Sequence, residues 1–239
     1  VRTAFTIAMR ELGSYVRQPA GWIIVALYLL LTGLVFCSST LVPGRPATLR
    51  DFFALSGWLL LPVVPAVSMR LMAEELRSGT IENLLTAPVS SWSLVVGKYL
   101  GAMFFLLAML LPTLVYPILL FAWSSPAPAL GPVISGYLCL VLLGGIYLGI
   151  GLLASCLTAN ATLAFMMTLF AILGVLFAPS AADIAPAPLK PLLANLSLST
   201  RVADFARGVL DTAHISIFVL TAFVLVVISV AVMEVRRWR

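Results

Sequence analysis

The sequence predicts an all-α integral membrane protein with six transmembrane helices. Of its 239 residues 62% are hydrophobic and 10% charged, whereas soluble domains average about 45–50% apolar and about 25% charged residues. Mean hydropathy is +1.13. The apolar residues gather into six runs, and about 20 such residues suffice to cross a hydrocarbon core of roughly 30 Å. What remains outside the runs can hold loops and short helices. A water-soluble globule and a large soluble domain are both excluded, and the whole chain, 1–239, reads as one transmembrane domain.

Residues 1–20 come first as an amphipathic helix. Phe5, Met9, Leu12 and Val16 lie on one stripe, with Arg10, Ser14 and Arg17 towards another face, and Pro19 and Gly21 follow. Such a helix suits the inner membrane surface, although an ordinary basic flank of a first span fits the same pattern. A cleaved signal peptide is not expected, because the basic segment is long and the apolar run after it is itself long enough to span. Bulky Phe36 before Cys37 also argues against a lipoprotein cleavage box.

The six runs are 21–42, 52–71, 92–122, 132–158, 162–178 and 213–235. An even number puts both termini on one side. That side would hold Arg2, Arg10, Arg17, Arg70, Arg77, Lys98, Arg236, Arg237 and Arg239, leaving Arg45, Arg50, Lys190, Arg201 and Arg207 for the other. The excess predicts cytoplasmic termini. It also explains the net charge of +5 without nucleic acid, which is not expected as a partner. Trp22, Trp92, Trp123 and Trp238 fall at run ends, as an aromatic belt requires, and Trp58 lies deeper. Gly97 with Gly101, and Gly145 with Gly149, have the GxxxG spacing that lets helix backbones approach within a bundle or across a dimer. Pro62, Pro65, Pro112 and Pro117 should bend spans two and three, either as plain packing features or to shape a substrate path.

Between spans two and three the chain reads EELRSGTIENLLTAPVSSWSLVVGK, Glu74 to Lys98. Arg70–Glu74 and Glu74–Arg77 are spaced as helical ion pairs, so the second helix can continue into water. Gly79 suits its end, Thr80 can cap a short helix with Glu82 in its first turn, and Pro88 stops that helix. Ser90 or Ser91 can cap span three. Ile81, Leu84 and Leu85 are then apolar side chains on a charged loop, which either dock onto a partner or fold back on the bundle.

These residues resemble the six-span permease subunits of ABC-2 type transporters, especially the branch with gliding-motility-type and nitrous-oxide-reductase-maturation-type permeases. The likeness rests on Glu74, Glu75, Gly79, Thr80, Glu82, Leu84, Leu85, Pro88 and Lys98, in the family's order and spacing. FARGVLD, Phe205–Asp211, before the last span and the closing Arg236, Arg237, Trp238 add to it, so it extends over essentially the whole chain. The resemblance implies that 1–20 is an interfacial elbow helix carrying Phe5, Met9, Arg10, Leu12 and Val16, and that 74–90 holds a cytoplasmic coupling helix. It further implies short external helices within 179–212, with Phe205, Arg207, Gly208 and Asp211. The residues agree with the last point: Pro179, Pro186, Pro188 and Pro191 interrupt the chain, Ser199 or Thr200 can cap a helix, and Val202, Phe205 and Val209 share a face. Gly208 can end that helix and Asp211 can cap the last span.

Some chemistry is absent from the sequence. Gly97 and Lys98 precede Tyr99, and Trp92 stands where GxxxxGK[ST] needs glycine, so no nucleotide site is expected in this chain. No Asp, Glu, Lys, Arg or His lies centrally in a span, which disfavours an ion-driven carrier. Glu74 and Glu75 resemble the paired glutamates of intramembrane CAAX-type proteases, but Gly79 stands where that pattern has Arg, and His214 is the one histidine. Cys37, Cys139 and Cys156 lack the paired spacing of a disulfide framework or zinc site, and no metal site is expected.

The expected function is therefore a non-catalytic permease, most naturally an exporter, in a bacterial cytoplasmic membrane. The resemblance implies two copies of a cytoplasmic ATPase that binds ATP and Mg, a second permease of identical or related sequence, and surrounding lipid. The alternative is a membrane scaffold or anchor of a motility or secretion assembly using the same fold.

Overall fold

The computed structural model describes residues 2–40, 48–79, 90–124, 128–182, 205, 208 and 211–237. Thr80, Glu82, Leu84, Leu85, Pro88, Arg207 and most of 179–212 lie outside the described residues, as does Trp238. All regular structure among the described residues is helical. In chain order the elements are α1 (Arg2–Arg17), α2 (Pro19–Val35), α3 (Arg50–Ser68), α4 (Ala73–Ser78), α5 (Ser91–Leu110), α6 (Val115–Trp123), α7 (Leu130–Leu157), α8 (Ala161–Ala182) and α9 (Thr212–Arg237).

Six stretches are long and apolar enough to cross a membrane: Pro19–Thr40, Arg50–Ser78, Ser91–Trp123, Leu130–Leu157, Ala161–Ala178 and Thr212–Arg236. They coincide with the six runs read from sequence, to within a few residues except at the end of the second. The hydropathic pattern sets the spans, but packing decides their rank. In α7, 72% of the most apolar window is buried, against 17% for the fifth span. α7 is thus the central post, touching α3, α5, α8 and α9, while α2 leans chiefly on α3. Small residues suit α7 to this place, since its buried face includes Ser135, Gly136, Gly144, Gly145, Gly149, Gly151, Ala154 and Ser155.

Three spans depart from a plain α-helix. α2 widens into a π-helical turn at Phe36–Thr40, where the hydroxyl of Ser39 donates to Val35 O (2.7 Å). Span three narrows to a 3₁₀ turn at Leu111–Leu114 because Pro112 has no N–H to continue the ladder. There the Thr113 hydroxyl donates to Leu110 O (2.6 Å) and Tyr137 to Thr113 O (2.8 Å), so carbonyls at the break keep partners within apolar surroundings.

The third departure corrects the expectation of one continuous second helix. α3 stops at Ser68, residues 69–72 form a turn, and α4 starts at Ala73. Leu71 N–H donates to Ser68 O (3.1 Å), and Met72 N–H leaves the helical ladder for the buried Ser155 hydroxyl of α7 (2.7 Å). A serine on a different span thus repairs the broken helix.

Trp22, Trp58, Trp92 and Trp123 all face outward, Trp58 included. The outer-facing sides of α2, α6, α8 and α9 are rows of Leu, Ile, Val, Met and Phe, as a lipid-facing surface requires.

Candidate functional site

Helix α1 packs along α5 more extensively than any other pair of described elements pack on each other. Gly97 and Gly101 make this possible. A Cβ on Gly97 would lie 2.8 Å from Ala4 O, and one on Gly101 2.9 Å from Ala8 O, so the backbones touch where only glycine fits. The GxxxG spacing at 97–101 therefore serves contact within the chain. The second such spacing does not form one seam: the Gly145 carbonyl accepts from Tyr99 (3.0 Å), whereas Gly149 faces Leu225 of α9.

The face that α1 turns to the bundle is not the stripe expected from its hydrophobicity. Ala8 is fully buried, Ile7, Leu12 and Tyr15 pack against the core, and Phe5, Met9 and Val16 are about half exposed. Leu12 thus separates from the other three. Phe5, Met9 and Val16 form an outward apolar row suited to lipid. The Tyr15 hydroxyl donates to Val67 O at the end of α3 (2.8 Å), and the Trp22 indole donates to Val16 O (2.7 Å), fixing the corner between α1 and α2.

Lys98 lies about two turns into α5, with only 3% of its side chain exposed. An ammonium group so placed must be neutralised locally. Its Nζ stands 2.8 Å from Oε1 of Glu75 on α4 and 3.5 Å from Oε2 of Glu11 on α1. Arg10 reaches the same Glu75 oxygen at 4.0 Å from the exposed side. Two carboxylates share one buried cation, and burial pushes the Glu11 carboxyl above its ordinary value despite the opposing pull of Lys98. The second oxygen of Glu75, Oε2, is buried without a hydrogen-bond partner among the described residues. Beside the cluster lies an open polar cavity of about 430 Å³, also lined by Ser14, Arg17, Gln18 and Arg70. Arg70 pairs with Glu74 (3.3 Å) and donates to Gln18 Oε1 (3.4 Å). No ion pair joins Glu74 to Arg77 among the described residues, so one of the two helical pairs expected there is found.

The cluster sits at the base of the connection between α4 and α5. α4 ends at Gly79, whose φ of 70° is the left-handed conformation that glycine adopts without a Cβ penalty. At the start of α5 the Ser90 hydroxyl accepts from Ser93 N–H (3.2 Å), so Ser90 is the cap of α5. Glu74, Glu75 and Gly79 are therefore placed, together with Lys98.

At the opposite end of the bundle, Phe205 is fully buried, its ring 6.0 Å from that of Phe218 and at right angles to it. Its carbonyl accepts from the buried Ser135 hydroxyl (2.7 Å), anchoring the chain ahead of the last span onto α7. Gly208 has φ 85°, against Pro132. Asp211 caps α9 as expected, its Oδ1 accepting from Ala213 N–H (2.8 Å). His214 lies beside Phe205, with ring centroids 6.4 Å apart.

Sequence reasoning gave Glu11 no role of its own, and took Lys98 as a flanking charge and part of the family likeness without pairing it to either glutamate. The available signal was the offset series Ala4, Ala8, Glu11 and Tyr15, a second face of α1 made of small and polar residues, opposite a lysine set between Gly97 and Gly101. Among the described residues no group of His, Cys, Asp and Glu could hold a metal ion. No curated protein matches the sequence. The pattern of the ABC-2 family transporter proteins matches residues 48–233, from just before α3 to within the last turn of α9. Six apolar spans on an all-helical scaffold agree with that match. The chain belongs to the ABC-2 family of membrane transporter proteins.

Proposed function

We propose that this chain is the permease subunit of an ATP-driven ABC-2 type exporter, coupled through residues 78–88 to a separate ATPase. The observation that carries the reading is the base of that segment. α4 ends at Ser78 with Gly79 as its cap, Ser90 caps α5, and Lys98 ties the two helices by a buried ion pair, so both ends of the connection stand on a fixed footing. In this proposal Leu84 and Leu85 are the apolar side chains that dock on the ATPase, supported by Glu74, Glu75, Gly79, Thr80, Glu82 and Pro88. ATP and Mg bind in two ATPase copies, whose closure moves the 78–88 segment and with it spans two and three. α1 is the elbow helix, with Phe5, Met9 and Val16 towards lipid. Phe205, Arg207, Gly208 and Asp211 belong to short external helices. The termini then face the cytoplasm, on the side holding most basic residues, and a second permease completes the transport path.

The test is purification of the tagged chain from its native membrane in mild detergent, with mass spectrometry of what accompanies it. A Walker-motif ATPase should accompany the wild type and be lost from the Leu84→Asp, Leu85→Asp double variant, because each aspartate would bring an unpaired charge into an apolar contact. A stable, folded wild-type preparation without any ATPase would overturn the reading in favour of a scaffold.

A further inference from the structure

We propose that Lys98 is a positioning residue that clamps both ends of the 79–90 connection to α1, so that the footing of the connection and the N-terminal helix move as one body. This rests on the proposed role of that connection as the place where an ATPase applies force. The turn at 69–72 interrupts the helical ladder between α3 and α4, so α4 is not a stiff extension of α3. α4 is tied sideways instead. Glu75 binds Lys98 of α5 and meets Arg10 of α1, while Glu11 of α1 binds the same Lys98. One buried ammonium group thus joins the element entering the connection, the element leaving it, and α1. α1 is in turn seated on α5 by backbone contact at Gly97 and Gly101, a contact with no slack for sliding. Force arriving between Gly79 and Ser90 is therefore shared by α1 and α5, and α3 receives it through Tyr15, which donates to Val67 O, and through the turn at 69–72, whose Met72 N–H is held by Ser155 of α7.

The test is a distance measurement between spin labels on the full chain in lipid nanodiscs. Labels go on Met9→Cys of α1 and Arg77→Cys of α4, both exposed positions, with Cys37→Ser added because Cys139 and Cys156 are buried. The expected result is one narrow distance distribution in the otherwise unaltered protein. Glu75→Gln should broaden it at least twofold while the neutral Lys98–Glu11 pair keeps the protein folded, and Lys98→Arg, which retains the charge, should keep it narrow. A width unchanged by Glu75→Gln in protein of normal unfolding temperature would overturn the clamp. Should Glu75→Gln fail to fold, the triple variant Lys98→Met, Glu11→Gln, Glu75→Gln replaces it. That variant removes the clamp without leaving a buried unpaired charge and should broaden the same distribution, and an unchanged width there likewise overturns the proposal. A wild type that captures no ATPase would overturn the coupling reading alone, since the width is read without a partner.

Discussion

Nζ of Lys98 lies 2.8 Å from Oε1 of Glu75, joining α5 to α4 across the connection between them, in a place where the lysine is almost wholly shielded from solvent. Ion pairs of this kind contribute little net stability against an apolar replacement, yet removing one partner leaves an uncompensated buried charge.

Lys98→Met should accordingly destabilise the protein by about 3–5 kcal/mol, since Glu11 and Glu75 then keep only the exposed Arg10, 4.0 Å from Glu75, as a counter-charge. The triple variant Lys98→Met, Glu11→Gln, Glu75→Gln should recover much of that loss. Equilibrium unfolding of the three proteins in one detergent checks this, and a triple variant no more stable than the single one would contradict it.

Glu11 predicts a pH dependence of definite sign. Its carboxyl titrates above the ordinary value of 4.5 when folded, with burial as the main cause. The folded state then binds the proton more tightly than the unfolded state between 4.5 and the raised folded value. Stability contributed by this group therefore increases as pH falls through that window and is lost as pH rises. Relative to Glu11→Gln, the wild type should gain stability on acidification from neutral pH. Lys98, Glu75 and Arg10 remain in both proteins, so unfolding curves at several pH values isolate the Glu11 contribution.

Gly101→Leu should unseat α1, because even a Cβ would lie 2.6 Å from Glu11 Cβ and 2.9 Å from Ala8 O. Overpacking of this kind costs typically about 1–3 kcal/mol. A cysteine at the fully buried Ala8 should become reactive to a water-soluble maleimide in the Gly101→Leu background and stay protected without it.

Ser155→Ala should leave the Met72 N–H buried and unpaired at the break between α3 and α4. The expected loss is about 1–3 kcal/mol, with Ser155→Thr retaining most of the stability if its methyl group is accommodated. Unfolding measurements on both variants decide it, and equal losses would point to packing at α7 instead of the hydrogen bond.

The six spans, the Gly79 stop, the Ser90 and Asp211 caps and the Arg70–Glu74 pair were legible in the sequence because each depends on residues within a few positions of one another. Hydropathy over some twenty residues, a φ that favours glycine, and a hydroxyl or carboxylate at a helix start are local quantities. The apolar stripe on α1 was local too, but it could not reveal that Ala4, Ala8 and Glu11 face the bundle, since that depends on what α5 presents. Gly97, Lys98 and Gly101 form that surface. Likewise, nothing near Met72 in sequence indicates that its N–H finds a partner on Ser155. The sequence by itself determined the membrane spans and the family, since both follow from short-range composition and spacing. Only the tertiary structure decided that a lysine at the start of the third span holds two glutamates from distant segments, because a buried charge selects partners by three-dimensional proximity and local dielectric.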